Sequence, residues 1–195
     1  DNHKIDITGG KMKFKKRISK FYKETIFKLK KKINLDKQIL EITSLNELFN
    51  YFGTDKGTEV MNQYQKNPSK TDQKLIGHGY AQFYEKHLNI YKNDKINILE
   101  IGTWKGASVA AFYHYFKNAI IFCIDKNFKF QFESNRVNFF NCETENFTDI
   151  KNLEKYFIEK KSESFEVIID DGSHNYTDIL NNFQNFFKKI KQGGF

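Results

Sequence analysis

Two hydrophobic rhythms alternate along this chain. Short apolar runs, as expected of strands covered on both faces, occur at Ile96, Ile98, Leu99 and Ile101, at Ala119 to Ile124, at Val137 to Phe140 and at Phe165 to Asp170. Between them lie segments with helical spacing: Ala107 to Phe116, Asp149 to Lys160 and Tyr176 to Lys189. In the last, Ile179, Leu180, Phe183, Phe186 and Phe187 are expected to face inward. Upstream, Ser44 reads as the N-cap of a helix running to about Phe52, with Glu47 completing a capping box. Tyr80 to Leu88 reads as a further helix; Gly53 to Gly57, Lys66 to Thr71 with the single proline Pro68, and Gly77 to Gly79 read as turns or loops. The alternation predicts an α/β, Rossmann-like fold: a mainly parallel sheet with helices on both faces. Gln192-Gly193-Gly194-Phe195 is a helix stop followed by the first residue of a further strand.

Lys11 to Ile33 has apolar positions at Phe14, Ile18, Phe21, Ile26, Leu29 and Ile33, and predicts a basic amphipathic helix. The expected organisation is a basic extension over 1–40 and an active domain over 41–195. Net charge is +8, and Lys11 to Lys32 carries a large share of it with Glu24 as its one acid. Charge arguments therefore concern the extension. Three readings fit it: packing on the domain or on a second subunit, which would make a homo-oligomer; attachment to an anionic membrane surface; and, least favoured, phosphate contact with nucleic acid. Hydrophobic content of 39% and charged content of 29% describe a globular chain, without an apolar run long enough to span a bilayer. No secretory signal is visible, and the chain begins Asp1-Asn2 without Met, as a piece of a longer protein would. Cys123 and Cys142 sit in or beside predicted strands and read as buried free thiols. A cytoplasmic protein is expected, peripheral to the inner membrane face if the extension binds lipid.

The candidate chemistry centres on Ile96 to Asp125. Glu100 lies near the end of an apolar run, where a carboxylate is costly unless paired, so it is expected to be aimed at a ligand. Gly102 and Gly106 bracket a tight turn in which a missing Cβ would let the backbone approach a bound molecule. The turn reads Gly102-Thr103-Trp104-Lys105-Gly106 and lacks the middle glycine of a dinucleotide motif. An acid before the turn suits a cationic ligand, and Asp125 after the next strand suits a ribose diol. S-adenosylmethionine carries both features.

These residues resemble the first motif and second-strand acid of the class I S-adenosylmethionine-dependent methyltransferases. Gly53-Thr54-Asp55-Lys56-Gly57 and the His78-Gly79-Tyr80 stretch, placed ahead of Leu99-Glu100-Ile101-Gly102, narrow the resemblance to the macrolide sugar O-methyltransferase branch, with its cephalosporin-hydroxylase-like relatives. The resemblance covers roughly Ser44 to Phe195. It implies a cofactor set of Glu100, Gly102, Thr103, Gly106, Ser108, Asp125 and Asp170, joined by His78 and Tyr80 from the pre-strand segment. From the Asp171-Gly172-Ser173-His174 step it implies Asp171 as a Mg²⁺ ligand and His174 as general base. A positioned base and a hard cation both help an alcohol act as nucleophile. The implied activity is methyl transfer to a hydroxyl of a sugar or glycoside, with a small-molecule or glycan acceptor. The same step also reads as an Asx-type turn, with Ser173 or Asn175 capping the next helix. Tyr80 and Tyr84, four apart, equally read as a helix face on the core.

Two departures from the family pattern stand out. Asn141-Cys142-Glu143 replaces a Gly-Asp-Gln-like step near the adenine, and the strand whose acidic pair would complete the metal site lies past Phe195. Rival readings are a methyltransferase of a phenol, an amine or RNA, or a non-catalytic basic binding module. The sequence lacks the N/D-P-P-Y-type step common among amine and base methyltransferases.

Overall fold

The computed structural model describes residues 19–60 and 77–195. The chain forms two compact units, 1–32 and 33–195. In the first, helix α1 covers 19–29 and carries a Glu24–Lys28 ion pair of 2.7 Å across one turn. Residues 11–18 of the expected basic helix, and the Pro68 loop, lie outside the described residues. Ile33 does not continue the helix; it pairs with Phe132 in a short parallel ladder. Among the described residues no helix is long and apolar enough to cross a membrane.

The second unit runs β1 (Ile33–Asn34), α2 (Leu45–Phe52), α3 (Ala81–Leu88), β2 (Asn97–Ile101), α4 (Ala107–Tyr115), β3 (Ile120–Asp125), β4 (Phe132–Glu133), β5 (Val137–Asn141), α5 (Phe147–Glu159), β6 (Val167–Asp170) and α6 (Tyr176–Phe186). Four strands form a parallel sheet in the order β5-β3-β2-β6. The strand order therefore reverses between β2 and β6, with Ile101 opposite Asp170. That reversal opens a crevice at the carboxyl ends of the strands.

Side chains alternate across the sheet. Leu99, Ile101, Phe122 and Ile124 face a core shared with Leu153 and Phe157 of α5 and Phe186 of α6. On the other face Phe112 of α4 meets Phe49 of α2 edge-to-face at 5.5 Å and Tyr84 of α3 at 5.6 Å. Glu100 lies between Leu99 and Ile101, so it points to this second, helix-covered face. Every residue of α4 from Ser108 to Tyr115 is buried, which explains its apolar sequence without a polar stripe.

The caps set the helix ends. Ser44 Oγ accepts from the Glu47 amide at 3.4 Å, and Gly53, at φ 74°, ends α2. Helix α5 begins two residues earlier than expected because Asn146 accepts from the amides of Thr148 and Asp149. Arg136 closes the far end of α4, donating to the carbonyls of Tyr113, Phe116 and Ala119.

The inward face expected of α6 is corrected. Phe186 is buried, but Ile179, Leu180, Phe183 and Phe187 are exposed. The sheet-facing stripe instead contains Asn182, whose amide donates to both carboxylate oxygens of Asp170 at 3.1 Å. That polar anchor fixes the helix rotation and turns the apolar arc outward. Phe165 precedes β6 and bridges to Ile190, while Phe195 exchanges backbone hydrogen bonds with Glu166 and Ile168. Cys123 and Cys142 are buried and form no disulfide, as expected.

Candidate active site

The residues at the sheet's carboxyl end enclose a cleft of about 770 Å³. Its floor is the turn after β2. Both Gly102 and Gly106 have positive φ, 83° and 89°, where a Cβ is strained. Their lack of a side chain serves the protein's own packing first. A Cβ on Gly102 would lie 2.4 Å from the Asp171 carbonyl oxygen, and one on Gly106 would lie 2.2 Å from the Phe130 ring. The glycines thus let the loop after β6 and the Phe130 ring close on the turn. The turn still faces the cleft through Gly102, Thr103, Gly106 and Ser108.

Trp104, at the turn's centre, holds a positive φ of 47°, uncommon for a bulky residue. Its amide donates to Asp125 Oδ2 at 2.8 Å, and the Asn127 amide donates to Oδ1 at 2.6 Å. Asp125 is thereby fixed at the end of β3 and lines the cleft. Each carboxylate oxygen retains acceptor capacity, so the group can also take a pair of ligand hydroxyls.

Glu100 sits elsewhere than the cleft wall. It is fully buried behind it, and neither carboxylate oxygen makes a hydrogen bond of full geometry. Burial pushes its pKa up; the nearby Lys56 ammonium opposes that shift, the Asp171 charge reinforces it, and the Ser108 and Thr103 hydroxyls weakly favour the anion. The sequence places Lys56 in the Gly53–Gly57 motif but assigns it no role of its own. It is 3% exposed, comes from the glycine-flanked turn after α2, and donates to Asp171 Oδ2. Burial would lower the lysine's pKa, but Glu100 first, then Asp171 and Asp55, hold it above its ordinary value. A lysine between two glycines was the available signal; its burial was not.

The remaining expected residues divide. Asp171 lines the cleft at the end of β6 beside Gly172 and Ser173. Asp170 turns away from it, binding Asn182 and the Gly172 amide. His174 is exposed just before α6 and is not among the residues lining the cleft. Asn175 caps that helix by accepting from the Thr177 amide, and Ser173 Oγ accepts from the Asn175 amide. The capping reading of this step therefore holds.

His78 and Tyr80 also lie outside the cleft lining. Their rings stack at 4.7 Å, and His78 Nε2 lies 3.6 Å from Asp55. Backbone bonds from His78 to Asp55 and from Tyr80 to Lys56 brace the loop that carries Lys56. Cys142, Glu143 and Thr144 line the cleft at the end of β5. Among the described residues no three His, Cys, Asp or Glu side chains cluster as a metal centre. Asp171 supplies a single carboxylate, already paired with Lys56, and would need further oxygen ligands to hold Mg²⁺.

A parallel sheet with a strand-order reversal, a glycine turn after its central strand and an acid after the next is the arrangement of a Rossmann-like nucleotide-binding fold. Residues 99–195 match the family model described as a methyltransferase domain. Demethylmacrocin O-methyltransferase of Streptomyces fradiae is 26% identical over 131 residues, covering 60% of this chain and 30% of that protein. Mycinamicin VI 2''-O-methyltransferase of Micromonospora griseorubida is 25% identical over 124 residues, with the same coverage. The chain thus spans about 30% of the length of these relatives. Among solved structures, the MycE methyltransferase in complex with Mg, SAH and mycinamycin VI superposes with a TM-score of 0.59 at 21% identity. That match covers 79% of this chain and 36% of the other and supports the fold.

Proposed function

We propose that this chain binds S-adenosylmethionine in the cleft and belongs to an enzyme that transfers its methyl group to a hydroxyl of a sugar or glycoside. The observation that carries this reading is the convergence of the Gly102–Gly106 turn, Asp125 and Asp171 on one cleft at the strand-order reversal. Asp125 takes the ribose hydroxyls. The turn receives the amino-acid end, and Glu100 behind it supplies negative potential for the cofactor's ammonium. The activity of the sugar O-methyltransferase relatives supports the choice of acceptor. Asp171 is the residue that would hold Mg²⁺, which when bound lowers the pKa of a coordinated hydroxyl. His174, next to Ser173 at the cleft edge, is the base in this reading and reaches the acceptor as it enters.

Calorimetry with S-adenosylmethionine tests the cofactor half. Asp125→Ala is expected to weaken binding by about tenfold or more, given charge-assisted bonds of about 1.5–3 kcal/mol. Wild-type affinity in that variant rejects the site. Methyl transfer to a panel of glycosides tests the rest. His174→Ala is expected to lower the rate by about 10²–10⁴-fold, the usual worth of a positioned base; an unchanged rate removes the residue from the reaction.

A further inference from the structure

Helix α1 has two sides, and its own packing uses only one. At 3.6 residues per turn, Phe21, Tyr22, Ile26 and Leu29 share an arc of about 140°. Three of them are strongly exposed, Phe21 at 72%, Tyr22 at 64% and Leu29 at 81%, and Ile26 is exposed at 38%. Phe27 lies on the opposite side; it is buried, with the Lys32 ammonium 4.1 Å from its ring centre. The stripe expected to pack is therefore the one left open, and a contiguous apolar face of this kind marks an interaction surface. Lysines frame it. Lys23 borders the arc beside Ile26, Lys28 borders it beside Phe21, and Lys30 and Lys31 follow the last turn, all exposed. Over residues 19–32 the charged side chains are six lysines and a single acid, Glu24. The exposed pair of Glu24 with Lys28 is a weak one.

We propose that α1 lies in the surface of an anionic lipid bilayer, with Phe21, Tyr22, Ile26 and Leu29 in the headgroup–acyl boundary and the lysines on lipid phosphates. The apolar face and the flanking cations together single out this partner. A nucleic acid would take the lysines but leave Phe21 and Leu29 in water. A second copy would cover the apolar arc, but pairing two α1 faces brings lysines of the same sign together. The bilayer takes both: lysine stems lie along the apolar surface while their ammoniums reach the phosphates. No residue of the cleft takes part, so the inference stands apart from the proposed chemistry and from any metal. It gives the basic extension a role of its own, holding the chain at a membrane surface.

Flotation of the full chain with lipid vesicles is the test. Vesicles of phosphatidylcholine mixed with phosphatidylglycerol are expected to bind the protein about tenfold or more tightly than phosphatidylcholine alone, and less so as salt rises. Lys23→Gln and Lys28→Gln are each expected to weaken binding to the mixed vesicles about fivefold. Phe21→Ala and Leu29→Ala are each expected to weaken it about tenfold or more, the worth of burying such a side chain. All four side chains are exposed, so thermal unfolding should not move, which separates lost binding from lost folding. A second measurement needs no loss of binding. Thr25 is exposed in the middle of the arc, and both native thiols are buried, so an environment-sensitive fluorophore can be placed on Thr25→Cys. Its emission is expected to shift to the blue with the mixed vesicles and not with the neutral ones. Equal flotation with both lipids, or an unmoved fluorophore, overturns the proposal. So does full vesicle binding by Phe21→Ala and Leu29→Ala, which would leave a contact made by charge alone, as RNA makes. A dimer in sedimentation velocity that Leu29→Ala dissolves, with the vesicles left bare, overturns it in favour of a second copy.

Discussion

Gly102→Ala is the most informative single change in the sheet's switch region. The residue has a φ of 83°, and the left-handed region costs an L side chain about 1–2 kcal/mol. The new Cβ would also lie 2.4 Å from the Asp171 carbonyl oxygen and 2.5 Å from Gly172 Cα. These are backbone atoms, so relief requires moving the loop after β6, and overpacking of this kind costs about 1–3 kcal/mol. The two contributions total about 2–5 kcal/mol, a large part of a typical stability of about 5–15 kcal/mol. Urea unfolding measures the loss. With a slope of about 2 kcal/mol/M the midpoint should fall by about 1–2.5 M. Gly53→Ala separates the two effects: it shares a positive φ of 74° but has no heavy atom within 4 Å of the added Cβ. It should lose about 1–2 kcal/mol, from backbone strain alone. Gly102→Ala should in addition weaken cofactor binding, because the displaced loop carries Asp171. Equal losses in the two variants would refute the packing argument.

Other outcomes follow from contacts away from the cleft. Glu166 accepts from the Asn97 amide at 2.7 Å and from Lys191 at 2.5 Å. Burial alone would raise its pKa, but these donors hold it below the ordinary carboxylate value. Its contribution is thus complete above the unfolded pKa near 4.5 and lost as pH falls through the lower folded value. Glu166→Gln should destabilise at pH 7 and match the wild type in strong acid, read by urea midpoints across pH. Arg136→Lys keeps the charge but loses the fork that reaches three carbonyls and the stacking over Tyr113 at 3.9 Å; calorimetric unfolding should show a loss of about 1–2 kcal/mol. Phe157→Ala empties a fully buried site packed against Phe122 and Phe165, and should cost about 3–5 kcal/mol in urea unfolding.

The sequence by itself determined the order of the four central strands and the helices of the sheet-bearing unit, because each rests on local rules, but not the short β1–β4 ladder. Apolar runs marked β2, β3, β5 and β6, and Ser44 and Gly53 marked the ends of α2. It also placed the glycine turn and Asp125 on one cleft, since strand ends in a parallel sheet gather there by topology. Tertiary structure alone decided the rest. Whether Glu100 faces ligand or core depends on which face of β2 the helices cover, and no local pattern sets that. The rotation of α6 follows from one long-range pair, Asn182 with Asp170, which outweighs an apolar arc that looked destined for the core. Lys56 acquires its character from Asp171, 115 positions away. Local propensity sets where the chain bends and pairs; the partner of a buried charge is chosen only when distant segments exclude water together.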